Sequence, residues 1–409
     1  MDRQASPVTT DVSEHARPGN HATPVRARRW RSAVPRLWRF VLEHLMLSPI
    51  GAGIALIWVN LWPESYYPFI YKIAFAVNEV AMVLFFALIA KEVVEATIPG
   101  GVLHHWRRTT VPVIAAVGVT IVPALLYGQF VEWVDEPMLE RAWTVTFATD
   151  VALAYVLARV IFPNHPAMPF TLLLALAADA FGFVAMALFH PVRDLNLAVA
   201  LILMAAALGI AFALRTMRTR SFWPYMLVPG VLSWAAFYYG GFHPAFALLP
   251  IMPFLPHAAR DPGFFVDARP DAKDALNRFE LVARYPAQIA LFFFALVNAG
   301  VPFRGLEEGT WGVPFATLIG KPIGILAAVG IAVIAGFHLP PRIGWRDLLV
   351  IGVISCAGFT VALFFASATL APGILLRETT MGVLIGLVSI VLAFVLARVL
   401  CVGRYSRQV

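Results

Sequence analysis

Charged residues are scarce in this sequence. Lys, Arg, Asp and Glu together make up 13% of its 409 residues, whereas a typical soluble domain has about 25%. Hydrophobic residues make up 60% of the chain, more than a soluble fold can hide behind a polar surface. The composition therefore excludes an ordinary soluble domain and predicts a polytopic membrane protein.

Cysteine is nearly absent, and so are the common sequence signatures of catalysis. The two cysteines, Cys356 and Cys401, are too few for a disulfide framework. The chain has no phosphate-binding loop, nucleophile elbow or spaced His/Cys metal site, so we expect neither an enzyme nor a bound cofactor. The net charge is +7, and the basic residues lie in short loops between apolar runs. This placement argues against nucleic acid as a partner and favours the lipid bilayer.

Twelve apolar runs follow a polar amino-terminal segment. Residues 1–34 are rich in Pro, Ser, Thr and Arg, and we expect a disordered cytoplasmic tail there, with residues 35–409 forming one transmembrane domain. Runs of this length predict membrane-spanning α-helices, so the expected fold class is all-α. Because the seventh and eighth runs are short, length alone leaves ten to twelve spans open. The runs cover about 41–62, 68–90, 110–131, 142–162, 168–190, 196–214, 222–238, 243–256, 285–302, 312–336, 347–370 and 379–402.

The charged residues between the runs indicate an orientation. If the Arg-rich amino terminus lies inside, Arg and Lys collect in the inside loops and acidic residues collect outside, as the positive-inside rule requires. Both termini are then cytoplasmic, and the even number of spans that this requires supports twelve. The clearest examples are Arg107, Arg108, Arg215, Arg218, Arg342 and Arg346 inside, and Glu132, Glu136, Glu140, Glu307 and Glu308 outside.

Ionisable side chains inside the apolar runs are the strongest functional signal. Asp179 has about eleven residues of its run on either side, which places its carboxylate about 15 Å from each end, near the bilayer midplane. A charge at that depth is unfavourable unless it faces a protein interior or an aqueous cavity. A structural contact between helices explains one such residue equally well, whereas two aspartates and a lysine together near the midplane favour a functional role. The intramembrane ionisable residues are Glu79, Asp150, Asp179, His243 and Lys321.

Two spans carry polar or small residues at mid-length, where a helix is easily interrupted. Thr149 and Asp150 interrupt the fourth run, and the stretch from Cys356 to Thr360, with Gly358 at its centre, interrupts the eleventh. Unwound backbone at this depth is tolerated only where it lines a cavity or lies buried in protein. Two antiparallel broken spans in corresponding halves are typical of inverted-repeat transporters. The alternative is that Gly358 only permits close packing of two helices.

Seven stretches of the chain carry a family resemblance: NEVAMVLFFALIAKEVVEATIPGG (78–101), TFATDVALAYVLARVIF (146–162), HPAMPFTLLLALAADAFG (165–182), GFHPAFALLPIMPFLPH (241–257), ALVNAGVPF (295–303), LIGKPIGI (318–325) and ISCAGFTVALFFAS (354–367). Together they resemble the NhaA family of sodium/proton antiporters. The resemblance implies a twelve-helix fold with inverted repeats at about 110–190 and 312–402 and two broken, crossing helices. It also implies exchange of Na⁺ or Li⁺ for H⁺ across a bacterial cytoplasmic (inner) membrane, for pH and sodium homeostasis, by a homodimer.

The resemblance also implies roles for individual residues. Asp179 matches the family's ion ligand and would hold the transported Na⁺, which is a substrate and not a cofactor. Thr149 and Asp150 match the Thr-Asp pair at the break in span 4, and Lys321 matches the lysine that balances charge at the ion site. Three further residues match supporting positions. Glu92 and His243 match positions linked to pH response, and Glu79 stands where the family has an intramembrane acid.

One position departs from the family pattern. The family carries two adjacent aspartates in span 5, whereas this chain has Ala178 followed by Asp179. Two carboxylates can release two protons for one bound cation, and one carboxylate can release one. A charged Lys321 could pair with Asp179, and a neutral Lys321 could be a second proton carrier; the residues leave both open. We expect an antiporter of altered stoichiometry, and the alternative is an uncoupled uniporter, a sensor or a carrier of another solute.

Overall fold

The computed structural model describes residues 47–97, 106–257, 274–303 and 307–406. Every regular element in these ranges is helical, which confirms the prediction of an all-α fold. The tail predicted at 1–34 lies outside the described residues. The α-helices of ten residues or more are α1 Leu47–Leu61, α2 Pro63–Phe75, α3 Met82–Thr97, α4 Trp106–Val134, α5 Val151–Ile161, α6 Ala167–Phe189, α7 Leu197–Thr216, α8 Val231–Gly240, α9 Ala275–Asn298, α10 Gly312–Ile334, α11 Trp345–Ile354, α12 Thr360–Thr369, α13 Ile374–Gly386 and α14 Val388–Val399.

Many of these helices are long and apolar enough to cross a membrane. Within the described ranges seven uninterrupted helical stretches qualify, and an eighth is added if the bent pair Pro137–Phe147 and Val151–Ile161, which turns by 49°, counts as one span. The chain is therefore a membrane protein with multiple apolar helices, as its composition predicts. The seven stretches are Pro63–Thr97, Thr109–Val134, Ala167–Phe189, Leu197–Thr216, Ala275–Asn298, Glu308–Ile334 and Ile374–Tyr405.

Two of the predicted runs differ from the observed elements. The run at 243–256 is not an α-helix, and its regular structure is limited to the 3-10 turns Pro244–Phe246 and Met252–Phe254. Its prolines lack backbone N–H donors, so they cannot complete the hydrogen-bond ladder of an α-helix. The run predicted at 285–302 belongs to α9, which begins ten residues earlier, at Ala275, where the Asp274 side chain accepts the Asn277 N–H at 3.1 Å.

The helices pack as two bundles. The first bundle contains α4, the 3-10 segment Pro137–Phe147, α5, α6 and α10–α14, and the second contains α1–α3 and α7–α9. Inside the first, α4 and α10 approach at Gly118 and Gly324, where a Cβ atom on either glycine would overlap the carbonyl oxygen of the other. Small residues permit such close approach in membranes. This contact joins the two segments that the sequence predicts as inverted repeats.

Aromatic rings occupy the boundary between the two bundles. Phe86 in α3 lies 5.1 Å from Phe183 in α6 and 4.6 Å from Phe364 in α12, measured between ring centroids. Phe246, in the 3-10 turn Pro244–Phe246, lies 5.3 Å from Phe183. These rings bury apolar surface without directional polar bonds. Phe183 lies one helical turn from Asp179, so the aromatic boundary is adjacent to the candidate site.

Candidate functional site

Two helix interruptions meet in the first bundle. Three residues separate the end of the 3-10 segment Pro137–Phe147 from the start of α5, and α11 ends at Ile354, before α12 begins at Thr360. A Cβ atom at Gly358 would overlap the carbonyl oxygen of Ala148, so the two interruptions are in direct contact. Gly358 therefore lies in a break and also permits close packing, which unites the two interpretations that the sequence left open.

Replacing Gly358 with Ala is expected to lower stability. The added methyl group would press on a backbone oxygen that cannot move aside, and overpacking of this kind is destabilising by about 1–3 kcal/mol. The measurement is thermal unfolding of the purified protein in detergent. The matched control is Gly209→Ala in α7, where no heavy atom lies within 4 Å of the new Cβ. Equal melting temperatures for wild type and Gly358→Ala would contradict the close contact.

Asp150 caps two helices at once. Its Oδ1 accepts the N–H groups of Ala152 and Leu153 at 3.1 and 3.2 Å, at the first turn of α5. Its Oδ2 accepts the N–H of Thr360 at 3.0 Å, at the first residue of α12. A helix amino terminus has unpaired N–H groups and a partial positive charge, both of which a carboxylate satisfies. The Asp150 carboxylate is therefore engaged through both of its oxygens.

Lys321 binds the carboxyl ends of the helical segments that precede the two interruptions. Its ammonium group, fully buried in α10, donates to the carbonyl oxygens of Ala148 and Ser355 at 2.5 and 2.8 Å and to the Thr149 hydroxyl at 3.0 Å. The two carbonyls follow the carboxyl ends of the 3-10 segment Pro137–Phe147 and of α11, where the partial charge is negative. An ammonium has three N–H donors, so these contacts occupy all of them. The ion pairs of the described residues all involve Lys91, so Lys321 forms none with Asp179.

Only one oxygen of the Asp179 carboxylate forms a hydrogen bond. It is fully buried at the middle of α6, and its Oδ1 accepts the Thr149 N–H at 2.9 Å. Its Oδ2 is buried and has no hydrogen-bond partner. An ionised carboxylate in this situation is strongly unfavourable, because a buried polar atom without a partner loses its hydration without compensation. A proton or a hard cation bound at Oδ2 would remove that penalty.

The position next to Asp179 lies in a different environment. Ala178 is completely buried and belongs to an apolar cluster formed by α4, α5, α6, α10, α11 and α14. Thus α6 directs one side chain to the helix interruptions and the next to apolar packing.

The three predicted supporting residues belong to the second bundle rather than to that of Asp179. Glu79 lies in the π-helical turn Ala76–Ala81, and one of its carboxylate oxygens is buried without a partner. His243 accepts the Ala245 N–H through Nδ1, and its ring centroid lies 4.6 Å from that of Phe364. Glu92 lies in α3, 3.3 Å from Lys91. The structure therefore brings Thr149, Asp150, Asp179 and Lys321 together, whereas these three residues lie on other elements.

A buried ion-pair cluster lies in the second bundle and was not predicted from the sequence. Lys91 is 2% exposed and lies 2.6 Å from Glu95 and 2.9 Å from Glu280 of α9. The spacing of Lys91 and Glu95, four residues apart on one helix, was the available signal. The partner on α9 could not be found in this way, because the sequence predicted that Glu280 lies in a loop.

Sequence comparison places this chain among known transporters. Residues 52–400 match the family described as Na⁺/H⁺ antiporter 1. A protein named Na(+)/H(+) antiporter NhaA from Desulfitobacterium hafniense is 38% identical over 371 residues, covering 88% of this chain and 95% of the relative. Proteins of the same name from Geobacter sulfurreducens and Jannaschia sp. are 38% and 35% identical, covering 87% and 85% of this chain and 95% and 94% of those relatives.

Proposed function

Because this chain belongs to the Na⁺/H⁺ antiporter 1 family and exchanges Na⁺ for H⁺ as a membrane transporter and not as an enzyme, we propose that Asp179 is the carboxylate at which the two ions alternate. The observation that carries this proposal is the buried Oδ2 of Asp179, which has no partner. A proton neutralises the carboxylate in one half of the cycle, and Na⁺ replaces that proton in the other half.

The surroundings of Asp179 suit a hard cation. Na⁺ and Li⁺ prefer oxygen ligands, as other hard cations do. The Thr149 backbone binds the other oxygen of Asp179, so the Thr149 hydroxyl lies nearby. The charges of Asp150 and Lys321 also lie close enough to act on Asp179. We propose Asp179 as the main ligand of the transported ion, Thr149 as a supporting ligand, and Asp150 and Lys321 as the charges that hold the helix ends in place.

The proposed stoichiometry is one proton per Na⁺. Asp150 already accepts three N–H groups, and the donors of Lys321 are occupied by two carbonyls and a hydroxyl. With an alanine at 178, Asp179 is the carboxylate at the helix interruptions that has a buried oxygen without a hydrogen-bond partner. Exchange of one H⁺ for one Na⁺ moves no net charge, so we propose that transport is electroneutral. The alternative of an uncoupled carrier is not favoured, since the relatives are named Na⁺/H⁺ antiporters.

The setting of the exchange is proposed from the charge pattern and the family. We infer a bacterial cytoplasmic (inner) membrane with both termini in the cytoplasm, because the basic loops fall on one side of the predicted spans. A homodimer in the lipid bilayer, a role in pH and sodium homeostasis, and a pH response through Glu92 and His243, with Glu79 as a supporting acid, follow from the family resemblance alone.

Transport by the wild-type protein should not respond to membrane potential. Moving one net charge across about 100 mV is worth about 2.3 kcal/mol, which corresponds to a roughly 50-fold Na⁺ gradient. An electroneutral exchanger in proteoliposomes without a pH gradient should build no Na⁺ gradient when a potassium diffusion potential is applied. The Na⁺ content of the vesicles is the measurement. A potential-driven Na⁺ gradient in the wild type would overturn one-for-one exchange.

The Ala178→Asp variant tests the same proposal by adding a second carboxylate. A second carboxylate next to Asp179 could carry a second proton, and we expect exchange to become sensitive to the applied potential. Because Ala178 lies in an apolar cluster, the variant's thermal unfolding should be measured alongside transport. A folded, active variant that remains insensitive to potential would show that a carboxylate at 178 does not set the stoichiometry.

A further inference from the structure

A pair of hydroxyl groups connects the second bundle to the helix interruptions. Ser48 Oγ in α1 lies 3.2 Å from Thr360 Oγ1, at the first residue of α12, and each residue is 3% exposed. The two residues are 312 positions apart in the chain. The backbone N–H of Thr360 donates to Asp150 Oδ2 at 3.0 Å. Ser48 thus bonds to the residue whose backbone N–H donates to the capping carboxylate.

The bond also crosses the boundary between the two bundles. Helix α1 packs on α9, where a Cβ atom at Gly51 would overlap the Phe292 carbonyl oxygen, so Ser48 moves with the second bundle. Thr360 belongs to the first bundle through its bond to Asp150. The aromatic contacts at this boundary are not directional, whereas a hydrogen bond requires one alignment of its two partners. The Ser48–Thr360 bond therefore favours the one relative placement of the bundles in which it forms.

We propose that Ser48 is a positioning residue for ion exchange: through Thr360 it stabilises the arrangement of the helix interruptions in one of the two states of the transport cycle. The proposal rests on the proposed function to the extent that a fully buried site must be exposed to each side in turn, by movement of one bundle against the other. It adds a residue that contacts neither the ion nor Asp179. Because the Ser48–Thr360 bond is present in the described structure, this structure corresponds to the state of the transport cycle that the bond stabilises.

The two faces of the membrane provide a direct test. If two states exchange, the apparent Na⁺ constant at each face is the intrinsic constant divided by the fraction of protein open to that face. The ratio of the two apparent constants therefore follows the equilibrium between the states. Losing one hydrogen bond should change that ratio by about 2- to 10-fold. A purely structural role would lower the melting temperature and leave the ratio unchanged.

The experiment compares Ser48→Ala with wild type in proteoliposomes of known orientation. The half-maximal Na⁺ concentration is measured with Na⁺ added at one face and then at the other. We expect the ratio to shift in Ser48→Ala and to return towards the wild-type value in Ser48→Thr, which keeps the hydroxyl. The matched control is Ser389→Ala in α14, which removes an equally buried hydroxyl whose oxygen has no partner among the described residues; its ratio should stay at the wild-type value.

The outcomes separate this proposal from the proposed function. An unchanged ratio in folded Ser48→Ala overturns the positioning role, whatever Asp179→Asn does. If Ser48→Ala does not fold, Ser48→Cys is used instead, because a thiol has similar volume but is a weak donor; an unchanged ratio there overturns the proposal equally. Exchange that survives in Asp179→Asn would overturn the proposed ion site and leave the two-face ratio measurable.

Discussion

We expect Asp179→Asn to abolish Na⁺-driven proton movement while leaving the fold intact. The amide oxygen can still accept the Thr149 N–H, which bonds to Oδ1 of Asp179 at 2.9 Å. The amide cannot take up and release a proton, however, and it offers a cation no negative charge. We expect a loss on the order of 100-fold or more, within the range for removal of a group that transfers a proton. Proton movement in proteoliposomes after addition of Na⁺ or Li⁺ is the measurement.

A second aspartate variant provides the contrast. Asp150→Asn replaces an oxygen that accepts from a helix amino terminus with an NH₂ group, which faces N–H donors in either orientation. This variant should lose thermal stability, because capping residues contribute about 0.5–2 kcal/mol each and Asp150 caps two helices. Asp179→Asn should melt close to the wild type. Substantial exchange in a folded Asp179→Asn protein would show that another group carries the proton.

Lys321→Met should be among the most destabilising single substitutions in the described part of the chain. Methionine has a similar length and no charge, so the buried oxygens of Ala148, Thr149 and Ser355 would lose their donor. Each buried acceptor left without a partner is unfavourable by about 1–3 kcal/mol. Three acceptors lose the same donor together, so the combined effect is on the order of 3 kcal/mol or more. We expect an effect of that size in unfolding of the protein in detergent.

The matched control for Lys321→Met is Lys72→Met. Lys72 lies in α2 and its side chain is exposed, so the same chemical change should alter stability by no more than about 0.5 kcal/mol. A Lys321→Met protein as stable as the control would mean that the helix ends do not need the ammonium group. The lysine would then be free to act as a proton carrier, and exchange of two protons per Na⁺ would again be open.

The sequence alone determined the membrane character of the chain, the depth of Asp179 and the positions of the two helix interruptions. These properties depend on local composition: an apolar run of a given length spans the bilayer, and a charge at its centre lies at the midplane. Residue patterns also identified Asp150 and Lys321 as charges in the membrane, and the comparisons confirmed the family that the motifs resemble. Local patterns predicted the structure less well at 243–256, where an α-helix was expected and the proline-containing segment forms 3-10 turns.

Only the tertiary structure decided which atoms meet. Asp150 caps α12 across 210 residues of chain, and Lys321 contacts the Ala148 carbonyl across 173. Neither pairing can be predicted from residue spacing or periodicity, because each joins helices that are far apart in the sequence and pack together in the fold. The same packing left Lys321 with carbonyl partners in place of a carboxylate, put Ser48 beside Thr360, and left one oxygen of Asp179 without a partner. A hydrogen bond depends on positions within a few tenths of an ångström, and such positions exist only once the bundles are assembled.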